Sequence, residues 1–285
     1  MEIKRIVPSG YCKGVINAIN IVKKTKEKYP NKNIYVLGMI VHNSYVVDSL
    51  NKLGIITLDD NNKTKEELLE EIKEGVVIFT AHGISDKIKE KAIKKGLICI
   101  DATCIDVLKN KELIKSYLNK DYDILYFGKD KHPEAEAILS ISNKIHLITS
   151  IQDIDNLNIK NDKIVVTNQT TMSYLELDDL LKKAKEKYPN IIIEKEICNA
   201  TSSRQKAVSE IKDGEVLYVV GDTRSNNTTK LATIGKQNFK KVFLINNKNE
   251  INTADLNGVS KVYVTAGAST PPILINEVID YLTTF

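Results

Sequence analysis

The chain has 285 residues, 41 basic and 37 acidic, and its small net charge of +4 is spread along its length, so nucleic-acid binding does not follow from it. A hydrophobic fraction of 42% and a charged fraction of 27% are those of a globular chain, with nothing near the ~18 consecutive apolar residues of a membrane span. The opening, Met1 to Pro8, lacks a signal peptide's apolar region, so a cytoplasmic location is expected, and four cysteines there point to metal or redox chemistry rather than disulfides.

Apolar runs and amphipathic stretches alternate along the chain. The pattern predicts strands near 3–7, 34–38, 76–80 and 97–100, with helices near 13–29, 64–74 and 86–95. It continues with helices near 105–119, 133–141 and 173–187 among strands near 123–127, 145–148, 163–167 and 191–194. Helices near 202–212 and 272–283 and strands near 216–220, 241–244 and 261–265 complete it. Such alternation with short loops means an α/β fold, with parallel sheets covered by helices and working residues beyond the carboxyl ends of the strands.

One pattern recurs three times. Cys12, Cys104 and Cys198 are 92 and 94 residues apart, and each is followed by a β-rich run ending in glycine: Gly38, Gly128 and Gly221. Four residues past each glycine stands His42, His132 or Ser225. A second strand then ends near Thr80, Thr167 or Thr265, with His82, Thr170 or Ser269 just beyond. A repeat of this length indicates one supersecondary unit used three times. The expectation is three similar α/β units, 13–103, 104–197 and 198–285, the last joined by the N-terminal strand 1–12. They would be arranged pseudo-threefold around a central cavity.

The three repeated cysteines lie in polar loops ahead of predicted helices, where a helix N-terminus favours the thiolate that binds metal. Cys99, inside Leu97-Ile98-Cys99-Ile100, reads as a small core residue. Three thiolates suit a catalytic zinc with water in the fourth place, or a four-iron cluster with one iron open to substrate; the spacing decides neither. Three of the four histidines stand at the same strand ends, and with Ser, Thr and Asn donors they make a site for a diphosphate. His146, within a predicted strand, reads as structural. Glu134 follows His132-Pro133 and either caps the first turn of a helix or delivers a proton. Of the basic residues only Arg5, Arg204 and Arg224 are arginine, and two of them lie close to Cys198 or Ser225. A guanidinium there has a geometric use that an ammonium lacks, with chance placement as the alternative reading.

The motifs in order resemble those of the 4-hydroxy-3-methylbut-2-enyl diphosphate reductase family. They are Gly10-Tyr11-Cys12-Lys13-Gly14-Val15, Val41-His42-Asn43, Ala81-His82-Gly83, Asp101-Ala102-Thr103-Cys104 and His132-Pro133-Glu134. Gln169-Thr170-Thr171, Ile197-Cys198-Asn199-Ala200-Thr201, Ser225-Asn226-Asn227 and Thr265-Ala266-Gly267-Ala268-Ser269 complete the set. The resemblance implies that Cys12, Cys104 and Cys198 hold a [4Fe–4S] cluster. It implies that His42, His82, His132, Ser225, Asn226, Asn227 and Ser269 bind the diphosphate of the substrate. Glu134, Thr170 and His132 would act at the substrate hydroxyl. The implied reaction is reductive dehydroxylation to isopentenyl and dimethylallyl diphosphates, with electrons from a ferredoxin or flavodoxin and no nucleic-acid or membrane partner. Asn17, Ile105 and the run Asp222-Thr223-Arg224 with Asn226 depart from the family's usual residues, and none of them removes a cluster or acid position. A paralogue for another allylic diphosphate, a three-thiolate zinc enzyme and a cluster-based sensor are the alternatives.

Overall fold

Runs such as Val76-Val77-Ile78-Phe79 and Asp123-Ile124-Leu125-Tyr126-Phe127 are buried along their whole length. That is the mark of inner strands in parallel sheets covered on both faces. The computed structural model describes residues 1–285 and places twelve strands in three sheets of four. The strands are β1 (Glu2–Arg5), β2 (Ile34–Leu37), β3 (Ile55–Leu58), β4 (Val76–Phe79), β5 (Ile98–Asp101) and β6 (Asp123–Phe127). Then come β7 (Ile145–Ile148), β8 (Ile164–Asn168), β9 (Ile192–Ile193), β10 (Gly214–Val220), β11 (Phe239–Ile245) and β12 (Lys261–Ala266). Every pairing is parallel.

The three sheets share one topology. Their orders are β3-β2-β4-β5, β7-β6-β8-β9 and, read from the opposite edge, β11-β10-β12-β1. In each, the second strand pairs on one side of the first and the third pairs on the other. The loops leaving the first and third strands therefore diverge and leave a crevice at the carboxyl edge, the usual ligand position in open α/β sheets. The N-terminal strand β1 fills the fourth place in the last sheet by pairing with β12, Ile3 opposite Val262.

The helices are α1 (Lys13–Lys28), α2 (Ser44–Asn51), α3 (Lys65–Glu70), α4 (Asp86–Lys94), α5 (Ile105–Leu118) and α6 (Pro133–Leu139). They continue as α7 (Ile151–Asn156), α8 (Tyr174–Lys187), α9 (Asn199–Ser209), α10 (Asn226–Gly235) and α11 (Pro272–Leu282). Four helices and strands go beyond the sequence reading: α2, β3, α7 and α10. Helix α10 has the sequence Asn-Asn-Thr-Thr-Lys-Leu-Ala-Thr-Ile-Gly, poor in helix formers. It forms because the Ser225 side chain caps it, accepting the Thr228 N–H at 3.3 Å, and because it packs on α9 and β11. Helix α9 starts directly after Cys198, three residues earlier than predicted.

Contacts between Cα atoms divide the chain into two compact units. One comprises Met1–Val15, His42–Asp48 and Asn199–Phe285; the other comprises Ile16–Val41 and Ser49–Cys198. The first unit is built on the sheet β11-β10-β12-β1, with Tyr218, Val220, Val262, Val264, Ile275 and Val278 at its core. The second unit holds the other two sheets. Leu37, Leu69, Ile72 and Phe79 make one of its cores, and Ile114 of α5 packs with Ile124, Tyr126 and Val165 in another.

Candidate active site

Each of the three repeated cysteines follows the fourth strand of a sheet: Cys12 after β1, Cys104 after β5, Cys198 after β9. Each also makes the same hydrogen bond. The N–H of Cys104 donates to the carbonyl of Ala81 at 3.0 Å, that of Cys198 to Thr170 at 3.1 Å, and that of Cys12 to Ala268 at 3.0 Å. Ala81, Thr170 and Ala268 are each the second residue past the third strand of their sheet. Backbone alone thus ties every cysteine loop to the neighbouring strand-end loop. Each cysteine is half-buried, none is in a disulfide, and a helix begins at the next residue. At Cys104 the thiol makes no capping bond, while Cys12 Sγ accepts the Val15 N–H at 3.4 Å. Soft thiols held at helix N-termini are a donor set that fits an iron–sulfur cluster. Cys99 is half-buried inside β5, and burial pushes its thiol pKa up, as for a packing residue.

The second unit holds Glu134, Thr170, His132 and His82. Glu134 is 1% exposed, so it does not cap its helix. That task falls to His132, whose Nδ1 accepts the Glu134 N–H at 3.2 Å, with Pro133 at the first helical position. The Glu134 carboxyl instead meets Thr170, whose N–H donates to Oε1 at 2.8 Å and whose hydroxyl donates to Oε2 at 2.9 Å. Burial raises its pKa to about 7 even though the Thr170 bonds pull it down. A carboxylic acid that still carries its proton near neutrality is suited to protonating a leaving group. The rings of His82 and His132 meet edge to face with centroids 5.5 Å apart.

Buried amides hold this arrangement, and of them only Gln169 stands in a motif singled out above. Asn110, 0% exposed on α5, accepts the Thr167 hydroxyl at 2.8 Å through Oδ1 and donates to the Asn168 carbonyl at 2.8 Å through Nδ2. Asn168 accepts the Glu196 N–H at 3.0 Å, and Gln169 accepts the Lys129 N–H at 3.0 Å. The helix behind Cys104, the strand end before Thr170, the run before Cys198 and the loop before His132 are linked in one network. Asn110 sits between lysines in Lys109-Asn110-Lys111, so nothing local marks it as buried.

The first unit collects His42, Ser225, Asn226, Asn227, Ser269 and Cys12. Ser269 donates its hydroxyl to the His42 carbonyl at 2.9 Å, and His42 Nδ1 lies 2.9 Å from the Arg224 carbonyl. Asn226 and Asn227 open α10 and are both buried. Neither polar atom of the Asn227 side chain has a partner, and the hydroxyls of Thr228 and Thr265 are orphaned too. Buried polar atoms left unsatisfied cost stability, so a pair on one amide calls for a ligand. A Cβ at Gly267 would overlap Thr228 Oγ1, so only glycine lets that loop lie against the start of α10. Of the three arginines of this unit, the two near Cys198 and Ser225 act through geometry. Arg204 donates to the carbonyls of Ala200 at 2.7 Å and Gly10 at 2.6 Å, bracing the loop of Cys12, and Arg224 pairs with Asp222.

The chain, with three parallel four-stranded α/β sheets and a cysteine after each fourth strand, belongs to the LytB family: the model for the LytB protein family matches residues 3–283. The 4-hydroxy-3-methylbut-2-enyl diphosphate reductase of Geobacillus sp. (strain WCH70) is 47% identical over 100% of this chain and 91% of its own. The enzyme of the same name from Bacillus subtilis (strain 168) is 43% identical over the same shares. The solved E-1-hydroxy-2-methyl-but-2-enyl-4-diphosphate reductase of Plasmodium falciparum superposes with a TM-score of 0.90 at 32% identity, covering 99% of this chain and 88% of that one. No helix of the protein is long and apolar enough to cross a membrane.

Proposed function

We propose that this chain reduces (E)-4-hydroxy-3-methylbut-2-enyl diphosphate to isopentenyl and dimethylallyl diphosphates, consuming two electrons and two protons and releasing water. The observation that carries the reading is Glu134: a buried acid with a pKa of about 7, pinned by the residue whose carbonyl anchors Cys198. We assign a [4Fe–4S] cluster to Cys12, Cys104 and Cys198, supported by the bond that all three share and by the thiol chemistry. When bound, the cluster supplies electrons and a Lewis-acidic iron to the allylic oxygen.

The remaining roles belong to the chain itself. Glu134 gives its proton to the departing oxygen. Thr170 fixes the carboxyl at both oxygens, and His132 sets the start of the helix that carries it. His42, His82, Ser225, Asn226, Asn227 and Ser269 take the diphosphate, with the unsatisfied Asn227 amide as a donor ready for a phosphate oxygen. The three repeats, 13–103, 104–197 and 198–285 with strand 1–12, serve as equivalent α/β units that each supply strand-end loops to the chemistry. A ferredoxin or flavodoxin supplies the electrons, in the cytoplasm. Anaerobic purification with iron and sulfide analysis, followed by turnover with reduced methyl viologen and this substrate, tests the reading. A brown iron protein that turns over supports it. A colourless zinc protein, or an iron protein inert towards the substrate, overturns it.

A further inference from the structure

Asp222 is a carboxylate with no part in the chemistry above. It follows Gly221 at the end of β10 and is 4% exposed. Five hydrogen bonds end on it. Ser44 donates its N–H at 3.0 Å and its hydroxyl at 2.5 Å. Arg224 donates its N–H at 2.9 Å, Nε at 3.2 Å and Nη2 at 3.1 Å. Nη2 also donates to Ser44 Oγ at 2.6 Å, so carboxylate, guanidinium and hydroxyl close a triangle. Burial alone would raise the Asp222 pKa, but the bonds from Arg224 and Ser44 outweigh it and hold the carboxyl well below the usual range.

The consequences reach three positions assigned to the diphosphate. The Arg224 carbonyl lies 2.9 Å from His42 Nδ1. A carbonyl can only accept, so the ring carries a proton on Nδ1 whether neutral or charged, and Nε2 is the atom that changes state. The Ser269 hydroxyl donates to the His42 carbonyl at 2.9 Å, and the Ser225 N–H donates to the Asp222 carbonyl at 3.0 Å. His42, Ser225 and Ser269 are thus all tied to the Asp222–Arg224 loop.

We propose that Asp222 and Arg224 are positioning residues for diphosphate binding: their ion pair clips segment 42–48 to the loop ahead of α10 and sets the ring of His42. The proposal rests on the assignment of His42, Ser225 and Ser269 to the diphosphate. An arginine in such a loop has an obvious second role as a phosphate ligand. Here its Nε and Nη2 go to Asp222 and Ser44, in the forked geometry that lysine does not reproduce.

The test uses the full chain purified anaerobically, with inorganic diphosphate titrated by calorimetry and the histidine ring nitrogens followed by NMR. The protein has four histidines, few enough to assign. Asp222→Asn and Arg224→Lys should each weaken diphosphate binding about tenfold, and the double variant little more than either, because one clasp is lost once. In both variants the neutral His42 ring should shift from the Nδ1–H form towards a mixture with Nε2–H. Tighter binding in Asp222→Asn together with weaker binding in Arg224→Lys would overturn the proposal and make Arg224 a phosphate ligand restrained by Asp222. Unchanged binding in both variants, or an unchanged His42 tautomer, also overturns it. If the unsubstituted protein ignores diphosphate, the assignment of the diphosphate site fails, while the tautomer still judges the clasp. Should Asp222→Asn not fold, Arg224→Lys, with its side chain 48% exposed, carries both measurements.

Discussion

Thr170 holds Glu134 at both carboxyl oxygens, by its N–H at 2.8 Å and its hydroxyl at 2.9 Å. Its own carbonyl receives the N–H of Cys198 at 3.1 Å. A proposed proton source and a proposed cluster ligand therefore share one residue, and a shift in the loop 168–171 moves both.

The raised pKa of Glu134 has two measurable effects. As the acid, it must be protonated, so turnover should fall as pH rises through about 7. Glu134→Gln should keep cluster and substrate binding but lose about 100-fold or more in turnover. For stability, a folded-state pKa above the ordinary 4.5 favours folding fully below pH 4.5, an advantage lost as pH rises through about 7. Relative to Glu134→Gln, the unsubstituted protein should lose of order 3 kcal/mol across that window, read from urea unfolding at several pH values. A stability difference that ignores pH would mean Glu134 is not the buried acid described.

The cysteines should divide three to one. Replacing Cys12, Cys104 or Cys198 by Ser removes a thiolate and should cost iron content and activity. Cys99→Ser should leave the iron in place, because its thiol lies inside β5 and has an upward-shifted pKa. Iron and sulfide assays on the four variants decide, and bleaching by Cys99→Ser alone would refute the ligand set.

Asn227 predicts a trade between stability and binding. Its amide is 3% exposed with both polar atoms unsatisfied. Asn227→Leu, which keeps the branching and the number of heavy atoms, should leave unfolding stability unchanged or raise it by about 1 kcal/mol, while weakening inorganic diphosphate binding at least tenfold. Strong destabilisation with intact binding would show that the amide serves the fold.

Asn110 makes the opposite prediction. Asn110→Leu strands the Thr167 hydroxyl and the Asn168 carbonyl, both buried, and should cost about 2–3 kcal/mol. Adding Thr167→Val removes one stranded partner and should recover about 1 kcal/mol of that. Chemical denaturation of the two single variants and the double variant completes the cycle, and additive losses would mean that the two residues are not coupled.

The threefold pattern was legible because it is written in period and residue type. Gly38, Gly128 and Gly221 end central strands, and the polar residues four positions on stand where the sheet order predicts a crevice. Helix α10 was not legible, because Asn, Thr and Gly give it little propensity and its cap and burial are tertiary. The strand β3 and helix α2 were passed over for a related reason: each is short, four residues in one case and eight in the other, with a mixed pattern that packing completes. The role of Asp222 was equally hidden, since a carboxylate after a glycine reads as a turn residue until Ser44, 178 positions away, is seen to bind it.

The α/β class, the parallel sheets, the cysteines in polar loops and the residues worth testing can be read from the chain alone, because strand patterning, helix starts and repeat spacing are local properties. Tertiary packing decided that His132 rather than Glu134 caps α6, and that Glu134 lies buried against Thr170 with its pKa moved to about 7. Desolvation and hydrogen-bond satisfaction depend on groups that meet only when distant segments pack. Glu134 meets Thr170 from 36 positions away, so its proton affinity cannot be read from its neighbours in the chain.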